Sequence, residues 1–153
     1  MHYKSYFQKD SKLILDFNKR AKLYLKPEKH AINNFYGLNF STNTLNGEEL
    51  IAEKVCALIN RNKPRDYFDV YQIIKKGIPI NIKLVQEKSK AHNEEFNIIK
   101  IFNKTNKVYS NWEKDLIALT PNLMPFEEVI QTFKKYFKYS EEKEKHKEKH
   151  KND

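Results

Sequence analysis

Glycine, cysteine and long apolar runs are scarce in this chain, and each scarcity removes a class of function. Three glycines, Gly37, Gly47 and Gly77, stand too far apart for a phosphate-cradling loop, which needs close-set residues without a Cβ. One cysteine, Cys56, excludes an internal disulfide framework and suits a reducing cytoplasm; it reads as ordinary packing. No apolar stretch reaches the length of a bilayer span, and the aromatic start, with Tyr3, Tyr6 and Phe7, is unlike a secretory leader. No serine or cysteine stands in a nucleophile arrangement. His2, His30 and His92 are isolated, while His146 and His150, four apart, sit among lysines that disfavour a bound cation.

Lysine is in excess. The formal charge of +9 favours polyanionic partners, nucleic acid first. A length of 153 residues suits one domain-sized unit with its own core, and 13% aromatic content is too high for a disordered chain.

The most informative stretch runs from Gly47 to Tyr71 and reads as two helices joined by a very short turn. In the first, from about Glu48 to Arg61, Leu50, Ile51, Val55, Leu58 and Ile59 form one apolar arc at 100° per residue. Glu53 and Asn60 lie opposite. Lys54 falls inside the arc, and Arg61 projects along the same line two turns later. Lys54 either snorkels out along the apolar surface or points its ammonium into a cleft that holds an anion such as a phosphate. The second helix opens at Pro64, whose missing N–H is not needed at a first helical position. Tyr67, Val70, Tyr71, Ile73 and Ile74 form its apolar arc, with Asp66 inside it and Asp69 at its polar edge. Asp66 either offsets the helix dipole or shares a cleft with Lys54. Arg65 and Asp69, four apart, are spaced to pair. Charge on an apolar face is costly unless it is paired or used, so this elbow is the candidate site.

The block Glu-Leu-x-Ala-Glu-Lys-x-x-Ala-Leu-x-x-Arg-x-x-Pro-Arg-Asp-x-x-Asp-x-Tyr runs without a gap from Glu49 to Tyr71. It resembles the AbiEii/AbiGii nucleotidyltransferase toxins of type IV toxin–antitoxin and phage-exclusion systems. The resemblance implies a fold like that of polymerase-β nucleotidyltransferases with a helical domain behind it. It further implies a nucleoside triphosphate substrate, Mg²⁺ as cofactor, and transfer of nucleotides to the acceptor end of tRNA. It assigns nucleotide binding to Lys54, with Arg61, Arg65 and Asp69 as neighbours, and a catalytic role to Asp66. The family's Gly-Ser turn and its Asp-x-Asp pair have no counterpart here. The resemblance therefore covers the back part of a family member, and a truncated chain is expected, or one whose front part comes from an N-terminal partner polypeptide.

One further carboxylate enters by analogy. Lys12–Asn18 alternates like a half-buried strand, with Leu13, Leu15 and Phe17 on one side and Asp16 on the other. Asp16 occupies the place of the third carboxylate of polymerase-β-like enzymes, a catalytic and metal-binding position; the alternative is an exposed edge-strand aspartate that deters aggregation.

The expected fold is α+β and mostly helical. Residues 1–46 form a partial nucleotidyltransferase-like β region, with short strands at Leu13–Phe17, Lys22–Leu25 and within Phe35–Leu45, a remnant of a polymerase-β-like sheet. Residues 47–139 form a helical bundle, its first helix capped by Thr44 or Asn46. Further helices are expected over Ile80–Lys90, over Glu94–Lys104 with Phe96, Ile99 and Phe102 inward, over Asn111–Leu119, and over Phe126–Tyr139 with Phe126, Val129, Ile130, Phe133 and Phe137 inward. Residues 140–153, without an apolar residue to bury after Ser140, read as a solvated tail or frayed helix.

Two functions are expected from this. The first is a cytoplasmic nucleotidyltransferase toxin that transfers a nucleotide from a triphosphate to RNA, inactive without the missing motifs. The second is a non-catalytic basic module that binds nucleotide, RNA or an antitoxin protein. A third, purely structural reading has Lys54 and Asp66 merely pairing. None involves a membrane.

Overall fold

The computed structural model describes residues 2–4, 10–12, 22–33, 37, 39–120 and 122–149, of which 2–4, 10–12 and 145–149 are described by backbone alone. Asp16 and the expected strand at Leu13–Phe17 lie outside the described residues.

Two antiparallel hairpins precede the helices. β1 (His2–Lys4) pairs with β2 (Asp10–Lys12), placing His2 opposite Lys12. β3 (Glu28–Ile32) pairs with β4 (Phe40–Thr44), placing Glu28 opposite Thr44 and Ile32 opposite Phe40. The strand expected within Phe35–Leu45 is thus β4. Nearly every residue of the second hairpin faces solvent, so these strands contribute little to the core. Lys22–Leu25 is not a strand. The amides of Tyr24 and Leu25 are engaged by the Glu49 side chain instead of by a neighbouring strand.

Local chemistry sets the helix ends. α1 (Gly47–Arg61) is capped by Asn46, whose side-chain oxygen accepts from the Glu48 amide at 2.9 Å. It stops at Asn62, which takes a left-handed conformation at φ 51°, one that asparagine tolerates better than most residues. Lys63 then caps α2 (Pro64–Lys75), with proline at the first turn. α2 ends in a Schellman arrangement: the Gly77 amide donates to Ile74 O and the Ile78 amide to Ile73 O, with Gly77 at φ 68°. α3 (Ile82–Ala91) repeats it, with Asn93 at φ 55° and the Glu94 amide on Ser89 O.

Short pieces follow. The helix expected over Glu94–Lys104 is a 3₁₀ segment, Ile98–Phe102, which buries Ile98 and Ile101 and leaves Phe96, Ile99 and Phe102 only partly covered. Its three-residue repeat rotates the buried face away from the one a 3.6-residue repeat selects. α4 (Thr105–Tyr109) and α5 (Trp112–Leu116) are single-turn elements, and the helix expected over Asn111–Leu119 stops at Leu116, with Leu119 exposed beyond it. α6 (Phe126–Tyr136) buries Phe126, Val129 and Phe133, with Phe137 buried just past its end and Ile130 half-buried. Lys138, at φ 48°, separates α6 from α7 (Tyr139–Lys149).

The core lies between the helices. α1 packs on α2, α3 and the 3₁₀ segment, while α2 packs on α5 and α6. Tyr67 is fully buried against Phe133 and Phe126, with ring centroids 5.7 and 5.6 Å away, and Trp112 closes on Phe126 at 5.0 Å. Because α1 is covered on more than one side, its buried face is broader than a single stripe. Ala52 and Cys56 are inside, whereas Leu50, placed in the apolar arc by periodicity, is 48% exposed.

Candidate functional site

The elbow between α1 and α2 is built by Asn62. Its side-chain amide donates to Ile59 O at 3.1 Å, and its Oδ1 accepts from the Tyr67 hydroxyl at 2.8 Å. The same hydroxyl lies in hydrogen-bond contact with Ile101 O. Burial, with the charge of neighbouring Asp66, pushes the Tyr67 phenol well above its ordinary value, so it stays a donor. The turn is only two residues long, which fixes the register between the helices: the start of α2 lies beside the end of α1.

That register assigns the ion pairs. Arg61 Nη2 donates to Asp66 Oδ1 at 2.7 Å, near the turn. Lys54 Nζ donates to Asp69 Oδ2 at 2.6 Å, further from it. Lys54 and Asp66 therefore do not pair with each other directly; each meets a different partner. Lys54 precedes Arg61 by seven residues, roughly 10 Å along the axis, and Asp66 lies too near the elbow to be its partner. Arg65 is exposed and does not pair with Asp69, whose Oδ2 Lys54 takes.

The two pairs differ in burial. Lys54 and Asp69 are both more than a third exposed, and such a pair is worth about 0–1 kcal/mol. Asp66 has a side-chain exposure of 5%, against 57% for Arg61, so one carboxylate is buried beside a largely solvated guanidinium. Its second oxygen, Oδ2, is buried without a hydrogen-bond partner among the described residues. A charged oxygen left in that state is costly, by about 1–3 kcal/mol or more, unless a water or ligand donates to it.

A second charged cluster lies on the α3 side of α1. Glu49 is fully buried. Its carboxylate accepts from the amides of Tyr24 at 3.0 Å and Leu25 at 2.9 Å, and Lys88 Nζ lies 2.7 Å away. Lys88, itself buried, also donates to Glu53 at 3.0 Å. Burial alone would raise the Glu49 carboxyl, but Lys88 and the two backbone donors outweigh it and hold the group below its ordinary range. Burial likewise works against the Lys88 ammonium, and the two glutamates more than offset it, raising its affinity for the proton. A sequence signal for this cluster exists: Glu49, Ala52, Cys56 and Ile59 share one side of α1, and Lys88 lies four after Leu84 on the buried stripe of α3. Cys56 packs beneath it, its thiol pushed up by burial.

Metal binding needs several oxygen or nitrogen ligands at one point. Among the described residues no group of three His, Cys, Asp or Glu side chains could hold an ion, and the elbow carboxylates each already face a cation. These residues do not fit a two-metal centre.

Among the described residues no helix is long and apolar enough to cross a membrane. A family model described as "Nucleotidyl transferase AbiEii toxin, Type IV TA system" matches residues 2–139. No curated protein and no solved structure matches the chain.

Proposed function

Since the chain belongs to the AbiEii nucleotidyl transferase toxin family of type IV toxin–antitoxin systems, we propose that its α1–α2 elbow holds a nucleoside triphosphate for transfer to RNA, tRNA first. The observation that carries this reading is the half-satisfied Asp66: one oxygen is on Arg61, the other is buried and unpartnered among the described residues. A nucleotide N–H or hydroxyl supplies the donor it lacks. Lys54, Arg61 and Arg65 lie at or near the surface of the same helical pair and offer cations to the phosphates. Lys54 reaches them by leaving Asp69, a separation that costs little because the pair is solvated.

In the transfer step an RNA hydroxyl attacks the α-phosphorus, the bond to the bridging oxygen of the β-phosphate breaks, and pyrophosphate leaves. The elbow binds and orients the nucleotide, and Asp66 positions it through its free oxygen. Mg²⁺ is the family's cofactor, but the described residues do not provide its ligands, and Asp16 stands outside them. The sequence contains no Asp-x-Asp. The site of action is the cytoplasm, and the net charge of +9 draws the RNA.

The deciding experiment incubates the chain with labelled nucleoside triphosphates, Mg²⁺ and tRNA, with and without the product of the neighbouring gene. Transfer that is lost in Asp66→Asn supports the reading. Salt-sensitive RNA binding without transfer under either condition would replace it with a second reading, a non-catalytic module that binds nucleotide, RNA or an antitoxin. The absence of a metal-ligand cluster among the described residues is the observation that favours that module.

A further inference from the structure

The residues lining a groove at the start of α6 include no lysine or arginine, in a chain of net charge +9. A hollow of about 700 Å³, open on one side, lies between α4, α5 and the beginning of α6. Trp112 and Phe126 form its floor, and Leu123 and Met124 stand in its wall. A neighbouring hollow of about 320 Å³ shares Tyr109, Phe126 and Glu127 with it, so the two run together along α6. On the rim, Tyr109 is 59% exposed and Ile117 70% exposed, and nearby Leu119 is 56% exposed. Large apolar side chains grouped in water mark a surface that another molecule covers.

The charged residues are Glu113, lining the larger hollow, and Glu127, lining both, and both are acidic in a chain of net charge +9. Neither forms an ion pair among the described residues. The one indole N–H of the floor is already satisfied, donating to Met124 O at 3.0 Å. The groove therefore offers apolar contact and negative charge without an ion-pair partner among the described residues. Nucleic acid is repelled by that combination, and a small apolar molecule would leave Ile117 and Leu119 in water.

We propose that this groove docks an amphipathic, lysine- or arginine-flanked segment of a partner protein, its apolar side chains entering the hollow and its cations meeting Glu113 and Glu127. The mode is helix-in-groove recognition with electrostatic register. It does not depend on the nucleotide reading of the elbow.

Trp112, the one tryptophan of the chain, is a reporter placed in the floor. The full chain is titrated with a synthetic leucine–lysine amphipathic peptide, with its leucine–glutamate counterpart and with an RNA oligonucleotide. The expected result is a saturable change in Trp112 emission with the lysine peptide alone. Its Kd weakens roughly tenfold in the Glu113→Lys/Glu127→Lys chain and in Ile117→Asp, and stays unchanged in Glu87→Lys, a charge reversal on α3. Glu127 also faces the α6 dipole, so Glu113→Lys alone is the second variant, with folding checked by circular dichroism. No saturable response, an equal response to the glutamate peptide, or displacement of the lysine peptide by RNA from the same site would each overturn the proposal.

Discussion

Arg61 holds Asp66 by one oxygen at 2.7 Å and leaves the other buried without a partner among the described residues. The carboxylate is thus anchored and incomplete at once. Water or a ligand can donate to such a group.

Asp66→Asn tests that view directly. The side chain keeps its size but loses its charge, so thermal stability should be unchanged or slightly higher. Nucleotide affinity by calorimetry should fall about tenfold or more. Unaltered affinity would reduce Asp66 to a structural residue.

Arg61→Ala should destabilise by about 1–3 kcal/mol, because a buried carboxylate then loses its one cation. In the Asp66→Asn background the same change should cost under about 0.5 kcal/mol. Urea unfolding of the four proteins completes the cycle.

Lys54→Ala separates binding from folding. The Lys54–Asp69 pair is solvated, so its loss should cost at most about 1 kcal/mol. Nucleotide binding, if Lys54 meets the phosphates, should drop far more than this stability change would explain.

Glu49→Ala should cost about 3–5 kcal/mol, since it leaves the buried Lys88 ammonium short of a partner and orphans two amides. Replacing Glu49 and Lys88 together by leucine and methionine should recover only part of this. The Tyr24 and Leu25 amides still lose their acceptor.

The same cluster sets a pH dependence. The Glu49 carboxyl is lowered on folding, so its contribution is complete above the ordinary carboxylate value of 4.5 and is lost as pH falls through the folded value below it. The Lys88 ammonium is raised, so its contribution is complete below its ordinary 10.5 and is lost as pH climbs through the folded value above it. Thermal melts between pH 2 and 7 should show the advantage of the native chain over Glu49→Gln shrinking toward the acid end.

Much of the architecture was legible. The α1–α2 elbow, the cap at Asn46 (one of two candidates, with Thr44), Pro64 at a helix start and the apolar stripe of α6 all follow from local rules. The family was legible too, in the block from Glu49 to Tyr71. The pairing at the elbow was not, because a helical wheel gives angle and not depth. Lys54 and Asp66 both fell on inner arcs, but only the length of the turn decides which residues stand level. The Glu49–Lys88 pair was missed for a related reason. Its members are 39 positions apart, and each looks like a surface residue until two faces of α1 are known to be covered. The 3₁₀ segment escaped because a repeat of three and one of 3.6 diverge too little over five residues to be told apart.

The grip of Glu49 on Tyr24 and Leu25 bears on how this protein can be dissected. Composition invites a cut at Gly47, where strands give way to helices. A fragment starting there would expose a carboxylate and an ammonium that the leading segment normally seals, so the bundle would enter solution with its flank open. The first useful fragment begins no later than Lys22, and Tyr24 and Leu25 belong, energetically, to the helices.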